Sequence, residues 1–185
     1  MALAKIFQED MDDLKDIALR KIGRNVVNFQ KIEAMLKIFV SQTNFAGPIT
    51  EIAEILERRK QSVQKKSLGK LTKDYFKSFS SNMEHIHKYP EDRSQAWVSL
   101  SFQIENQDGT LPQQRVAFNY LVSERNRLIH QMLADFDPGS NESCNALITE
   151  LDKQNEMIQR EYINLQNLLR ALHEGKNELF NGFGK

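Results

Sequence analysis

The chain has 185 residues, of which 40% are hydrophobic, and this composition suits one folded domain better than two independent cores. Lysine plus arginine and aspartate plus glutamate number 25 each, so no net charge directs the protein toward nucleic acid or an anionic membrane. The single cysteine, Cys144, excludes an internal disulfide and a cysteine-based zinc site. A partner that carries phosphates would therefore have to meet a local basic surface.

Targeting and cofactor signals are absent from the sequence. No apolar run reaches the roughly 18 residues that a membrane span needs, and the acidic segment 7–10 is not typical of a signal peptide. We therefore expect a cytoplasmic protein without a membrane partner, in a reducing compartment. The sequence has no glycine-rich phosphate loop and no metalloprotease or calcium-loop motif, so we predict neither a cofactor nor a metal.

Hydrophobic spacing of three and four residues predicts helices over most of the chain. The first covers residues 10–43, a turn follows at 44–48, and two further helices cover 50–66 and 67–79. Residues 98–104 alternate apolar and polar side chains, which predicts a half-buried strand whose partner is either short or on another chain. Later helices cover residues 113–133 and 141–174, and Ser140 is placed to cap the second of these.

The last predicted helix carries an approximately heptad seam of five apolar residues, which indicates packing along its length. They are Leu147, Leu151, Ile158, Leu165 and Leu172. Four substantial helices with short connections predict a mainly α fold, an antiparallel four-helix bundle with a short strand-bearing insertion around residues 95–106. We expect one helical domain over residues 1–185, in which the whole insertion spans 80–112 and the tail at 176–185 is frayed.

The second and third predicted helices contain a basic stretch. Between residues 58 and 77, Asp74 is the only acid among many lysines and arginines. This pattern is either an ordinary solvated helix face or a surface that receives phosphates. Because the compensating acids lie largely elsewhere in the chain, we predict RNA binding by four residues of this stretch: Lys65, Lys66, Lys70 and Lys73.

Two histidines lie two residues apart, His85 and His87. On a strand this spacing would place both on one face, where a metal pair is conceivable. No further ligands lie nearby in the sequence, so we interpret them as loop histidines.

The most informative segment reads Val-Ser-Glu-Arg-Asn-Arg-Leu-Ile-His over residues 122–130. At 100° per residue, Arg125 shares one helix face with four apolar residues. They are Phe118, Val122, Ile129 and Met132. A guanidinium on an apolar face is either paired with an acid such as Glu33 or lines a functional cleft, because burying an unpaired charge is costly.

Asn126 and His130 are four residues apart and lie together on the neighbouring face. Arg125 is about 140° from His130 on an ideal helix, but its long side chain can reach a shared phosphate. A cation, an amide and an imidazole so placed suit RNA cleavage without a metal. The imidazole would accept the 2′-hydroxyl proton, and the guanidinium would stabilise the developing phosphorane.

Arg125-Asn126-x-x-x-His130 resembles the Arg-x(4–6)-His signature, in its common Arg-Asn form, of the HEPN (higher eukaryote and prokaryote nucleotide-binding) superfamily. The order of the predicted helices over residues 10–172 is also similar. The resemblance implies a four-helix bundle and a metal-independent endoribonuclease that dimerises, often a toxin or defence effector with an antitoxin partner. It also implies that Arg125 stabilises the transition state, that His130 transfers protons and that Asn126 orients the site.

The sequence departs from one pattern of the family. Members neutralised by a partner nucleotidyltransferase usually carry a tyrosine two residues after the histidine, where this chain has Met132, so AMP transfer to this site is not expected. Some members keep the fold without activity, and the alternative function is therefore an inactive helical module for dimerisation and binding. RNA recognition would also need base stacking, for which Tyr75, Phe76 and Trp97 are the candidates, although for Tyr75 and Phe76 we favour ordinary core packing.

Overall fold

The computed structural model describes residues 2–80, 95–102 and 110–182, with side chains over 13–79, 95–102 and 111–178. Over these ranges the protein is mainly helical and has one small two-stranded sheet, which confirms the predicted fold class at this level. His85, His87 and the rest of the insertion at 81–94 and 103–109 lie outside the described residues. The elements are α1 (Ala2–Gln42), β1 (Phe45–Pro48), α2 (Ile52–Gln64), α3 (Leu68–Ser80), β2 (Trp97–Leu100), α4 (Thr110–Arg127) and α5 (Asn141–Gly182).

The chain forms two compact units. Unit 1 comprises Met1–Ile32 and Ala117–Ile163, and unit 2 comprises Glu33–Val116 and Asn164–Lys185. The three longest helices each contribute residues to both units, because all three divisions of the chain fall inside helices.

The two-stranded sheet of unit 2 contains the partner of the strand that the sequence predicts. β2 pairs antiparallel with β1 of the same chain, with Phe45 opposite Leu100 and Pro48 opposite Trp97. The predicted turn at 44–48 is therefore wrong. The chain bends at Thr43 and Asn44 between α1 and β1, and Asn44 has a left-handed φ of 53°, which asparagine tolerates better than most residues. Its side chain also accepts a hydrogen bond from the Phe102 amide at 3.0 Å.

Aromatic side chains fill part of the core of unit 2. Tyr75 is fully buried and meets Phe39 edge to face, with ring centroids 5.1 Å apart. Phe76 is also buried and packs edge to face on Tyr75. The favoured interpretation of Tyr75 and Phe76 as core residues is therefore confirmed, and neither ring is free to stack on an RNA base.

The prediction for α5 is confirmed along its seam, since all five apolar residues are buried. Ser140 caps the helix as predicted, because its hydroxyl accepts a hydrogen bond from the Ser143 amide at 3.2 Å. The helix ends later than the sequence indicates, at Gly182 rather than near Glu174, so the chain from 176 to 182 is helical. Residues 175–182 contain no proline that would stop the helix.

Candidate functional site

The predicted site segment lies at the end of α4 in unit 1. The α-helix stops at Arg127, and the next five residues, Leu128–Met132, form a π-helical turn. The Leu133 amide donates to the Leu128 carbonyl at 3.3 Å, which is the i→i+5 bond of such a turn. Single π-turns at the end of or inside α-helices occur frequently at functional sites, and this one contains His130.

The π-turn changes the angles expected from an ideal helix. A turn closed by i→i+5 bonds holds more residues than the 3.6 of an α-turn, so each residue advances by less than 100°. The angle between Arg125 and His130 around the helix axis is consequently smaller than the 140° that a regular helix gives. The local backbone therefore brings the two predicted catalytic side chains closer to one face.

The buried face of α4 differs from the predicted one. The buried positions of α4 and of the start of the π-turn are Phe118, Leu121, Glu124 and Leu128. Val122, Arg125, Ile129 and Met132 are only half-buried. The apolar face predicted to contain Arg125 is therefore not the buried face, and the charged side chain in the core is that of the neighbouring Glu124.

Glu124 is held by a full set of hydrogen-bond donors. Arg127 binds it through two parallel bonds, from Nε to Oε1 at 3.0 Å and from an Nη to Oε2 at 2.9 Å. The same guanidinium binds Glu150 at 3.1 Å. The bonds from Arg127 and Lys153 lower the pKa of Glu150, and the bond to Glu124 is the main cause that raises the pKa of Arg127. The guanidinium of Arg127 is therefore used in structural ion pairs with Glu124 and Glu150.

The buried polar cluster continues across three helices of unit 1. The side-chain amide of Gln154 donates to both the carboxylate and the backbone carbonyl of Glu124, each at 3.1 Å. Asn25 donates to the Gln154 side chain at 3.0 Å and to the Leu151 carbonyl at 2.8 Å. These bonds fix the backbone of α4 just before the predicted motif.

Sequence reasoning missed Asn25 and Gln154, although a signal was present. Gln154 falls four residues before Ile158 on the apolar seam of α5, and Asn25 lies on the buried side of α1. A polar residue on an otherwise apolar stripe indicates a buried hydrogen bond that fixes the register of neighbouring helices.

Arg125 contrasts with Arg127. It is half-buried, and its Nη1 donates to Asn126 Oδ1 at 3.2 Å. Within the described ranges no carboxylate forms an ion pair with it, and Glu33, the acid proposed as its partner, binds Lys37 at 2.9 Å. Asn126 and His130 are both exposed. The structure thus leaves the three predicted catalytic residues accessible on one short segment of unit 1.

The four predicted RNA-binding lysines belong to unit 2. Lys65, Lys70 and Lys73 are exposed and have no ion pair among the residues with described side chains. Lys66 differs from them, because it is half-buried and binds Asp74 at 2.8 Å. Lys70 and Lys73 lie on the side of α3 away from its buried residues, so the α3 part of the cluster is a solvent-facing basic surface.

Neither a metal site nor a membrane span is found in the part of the chain that the structure describes. No three histidine, cysteine or acidic side chains there are arranged to hold an ion. None of the helices in these ranges combines the length and apolar character that crossing a bilayer requires.

Comparisons of the chain with known protein families, with curated proteins and with solved structures give no match. A functional assignment therefore rests on the side chains of the chain itself.

Proposed function

We propose that this protein is a metal-independent endoribonuclease of the HEPN type, with Arg125, Asn126 and His130 as its catalytic residues. The observation that carries the proposal is the contrast between two arginines of the same segment. Arg127 is bound by the carboxylates of Glu124 and Glu150, whereas Arg125 has no acidic partner among the described residues and touches Asn126. An accessible cation that no structural ion pair uses is suited to binding a phosphate.

The proposed reaction needs only the RNA and these side chains. His130 accepts the proton of a 2′-hydroxyl, and the resulting oxygen attacks the adjacent phosphorus. Arg125 stabilises the negative charge that develops on the phosphorane oxygens, while Asn126 orients the guanidinium through their hydrogen bond. The bond to the 5′-oxygen breaks, and this oxygen takes up a proton. The products are a 2′,3′-cyclic phosphate and a 5′-hydroxyl.

The helical frame of unit 1 is compatible with a HEPN-like bundle. Segments of α1, α4 and α5 are joined there by the hydrogen bonds of Asn25, Glu124 and Gln154. We further propose that two copies associate about a twofold axis, so that the second His130 protonates the leaving 5′-oxygen. Such an enzyme would act as a toxin or defence effector and would be neutralised by an antitoxin protein.

Cleavage of total RNA in the presence of EDTA tests the proposal. We expect the wild-type protein to cut RNA with the chelator present and to leave 2′,3′-cyclic phosphate ends, because the nucleophile is the RNA's own hydroxyl. The ends are identified by their resistance to a phosphatase before, but not after, acid treatment. Products with 5′-phosphates, or activity abolished by EDTA, would reject the mechanism. RNA binding without cleavage would favour the inactive binding module instead.

The basic cluster of unit 2 makes a separate prediction about binding. Replacing Lys65, Lys70 and Lys73 together by glutamine should weaken RNA binding and reduce the slope of log K against log salt by about 2, since each phosphate contact on a single strand contributes about 0.7. Affinity measured at several salt concentrations checks this result. The matched control removes three other exposed charges, at Lys31, Arg160 and Arg170. An equal change in both triple variants would show that the cluster has no specific role.

A further inference from the structure

The exposed face of α4 and its π-turn lacks formal charge near the proposed site. Between residues 119 and 130 the exposed positions are Asn119, Tyr120, Ser123, Asn126 and His130, which we call the α4 face. None of them is charged when histidine is neutral, although 27% of the chain is aspartate, glutamate, lysine or arginine. Solvated helix faces normally carry such charges, whereas depletion of charge together with an aromatic residue is typical of a surface that binds something.

Tyr120 is the notable member of this face. Among the aromatic side chains that the structure describes it is the only exposed one, with 56% of its surface accessible. The aromatic residues that the sequence suggested for base stacking are less available, since Tyr75 and Phe76 are buried and Trp97 is half-buried. Exposing a large ring to water forgoes the free energy of burying it, and an aromatic ring is the side chain that a nucleic-acid base can stack on, so Tyr120 is the candidate contact of this face.

The ring of Tyr120 projects from the same helix as the catalytic residues, six positions before Asn126. Asn119, Ser123, Asn126 and His130 recur at steps of four, three and four, so they form one row along the exposed side. Tyr120 lies next to the start of this row. At 1.5 Å per residue it is about 9 Å from Asn126 along the helix axis, a distance that a few nucleotides of single strand span.

We infer that Tyr120 stacks on an unpaired base of the RNA substrate. The side-chain amides of Asn119 and Asn126 and the hydroxyl of Ser123 bind base edges and ribose next to the scissile phosphate. This inference rests on the proposed function. It assigns single-stranded RNA, or an unpaired loop, as the substrate class, because a base inside a duplex offers no free ring face. RNA is favoured as the occupant because the exposed row continues into Asn126 and His130, which the proposed function assigns to RNA cleavage.

Binding of a single-stranded 2′-O-methyl RNA oligonucleotide provides the test. This RNA lacks the 2′-hydroxyl nucleophile, so affinity is measured without cleavage. Tyr120→Ala should weaken binding by about 5- to 150-fold, the range for loss of one base–aromatic stack, with the salt slope unchanged. Tyr120→Phe should retain the wild-type affinity, because it keeps the ring. The control is Leu19→Ala, which trims another exposed apolar side chain of unit 1 and should have no effect.

A second measurement separates stacking from an indirect structural effect. An abasic nucleotide, which lacks a base, is placed at each position of the oligonucleotide in turn. At one position it should weaken the binding of the wild-type protein, whereas the affinity of Tyr120→Ala for the same oligonucleotide should stay at its already reduced value. Unchanged affinity of Tyr120→Ala would overturn the inference. Light scattering measures whether Tyr120→Ala still forms the oligomer of the wild type. If the variant dissociates into monomers and loses RNA affinity for that reason, the inference is also overturned, and the α4 face is a protein-binding surface. If the pattern holds for binding but the wild type cleaves no RNA, the nuclease proposal fails while Tyr120 keeps its role.

Discussion

Replacing His130 by alanine should slow RNA cleavage by about 10²- to 10⁴-fold, the usual cost of losing a positioned acid–base group. The side chain is exposed, so the variant should melt at the wild-type temperature. Initial rates on a defined single-stranded RNA, with EDTA present, measure the effect. Because the substitution leaves Arg125 and the lysines in place, RNA affinity should change little.

The matched control is His173→Ala. His173 is also exposed and its ring lies 3.0 Å from the Asn177 amide, outside the proposed site. Cleavage by this variant should equal that of the wild type. Equal activity of His130→Ala and His173→Ala would exclude His130 as the catalytic base.

Replacing Arg125 and Arg127 separately by methionine should give opposite results, although the two residues are close neighbours in sequence. Arg125→Met should cleave RNA at least about 100-fold more slowly, because a charge that stabilises the transition state is lost. Its thermal stability should be equal to or above that of the wild type. The side chain has no acidic partner among the described residues, and methionine suits a half-buried position beside Val122 and Ile129.

Arg127→Met should instead lower the free energy of unfolding by about 3 kcal/mol, near the low end for breaking a buried ion pair, since Arg127 itself is 35% exposed. The cause is Glu124, which is 7% exposed in its side chain and would lose both guanidinium bonds. The fraction that stays folded should cleave RNA at close to the wild-type rate. Denaturant unfolding together with single-turnover cleavage measures both quantities for each variant.

The reverse pattern would contradict the site assignment. If Arg125→Met is destabilised and its folded fraction retains full activity, Arg125 is a structural residue. A double variant, Glu124→Gln with Arg127→Met, serves as a further control, because removing the stranded carboxylate should recover part of the lost stability.

Helices with one strong apolar stripe were predictable from local sequence. The apolar seam of α5, from Leu147 to Leu172, identifies the buried face of that helix, because its residues recur at heptad spacing. The cap at Ser140 is equally local, since it needs only a hydroxyl next to the first turn. The predicted motif likewise fell on a helical segment.

The orientation of α4 was not predictable in the same way. Its sequence offers two overlapping apolar faces, one through Val122 and Ile129 and the other through Leu121 and Leu128. Periodicity within one helix does not choose between them. When the second face is buried, the side-chain amide of Gln154 donates to the carboxylate and to the backbone carbonyl of Glu124. Asn25 in turn donates to the side chain of Gln154, so the choice depends on residues of two other helices.

The mainly helical class, the seam of α5 and the position of the candidate motif on a helix were readable from the sequence, because each depends on spacings within one helix. The tertiary structure decided the pairing of β1 with β2, the burial of Glu124 and the separate environments of Arg125 and Arg127. Each of these depends on groups distant in the chain, such as Glu150 or Gln154, whose approach follows from packing. A charge acquires a structural or a functional role only when its neighbours in space are fixed, and local periodicity does not specify those neighbours.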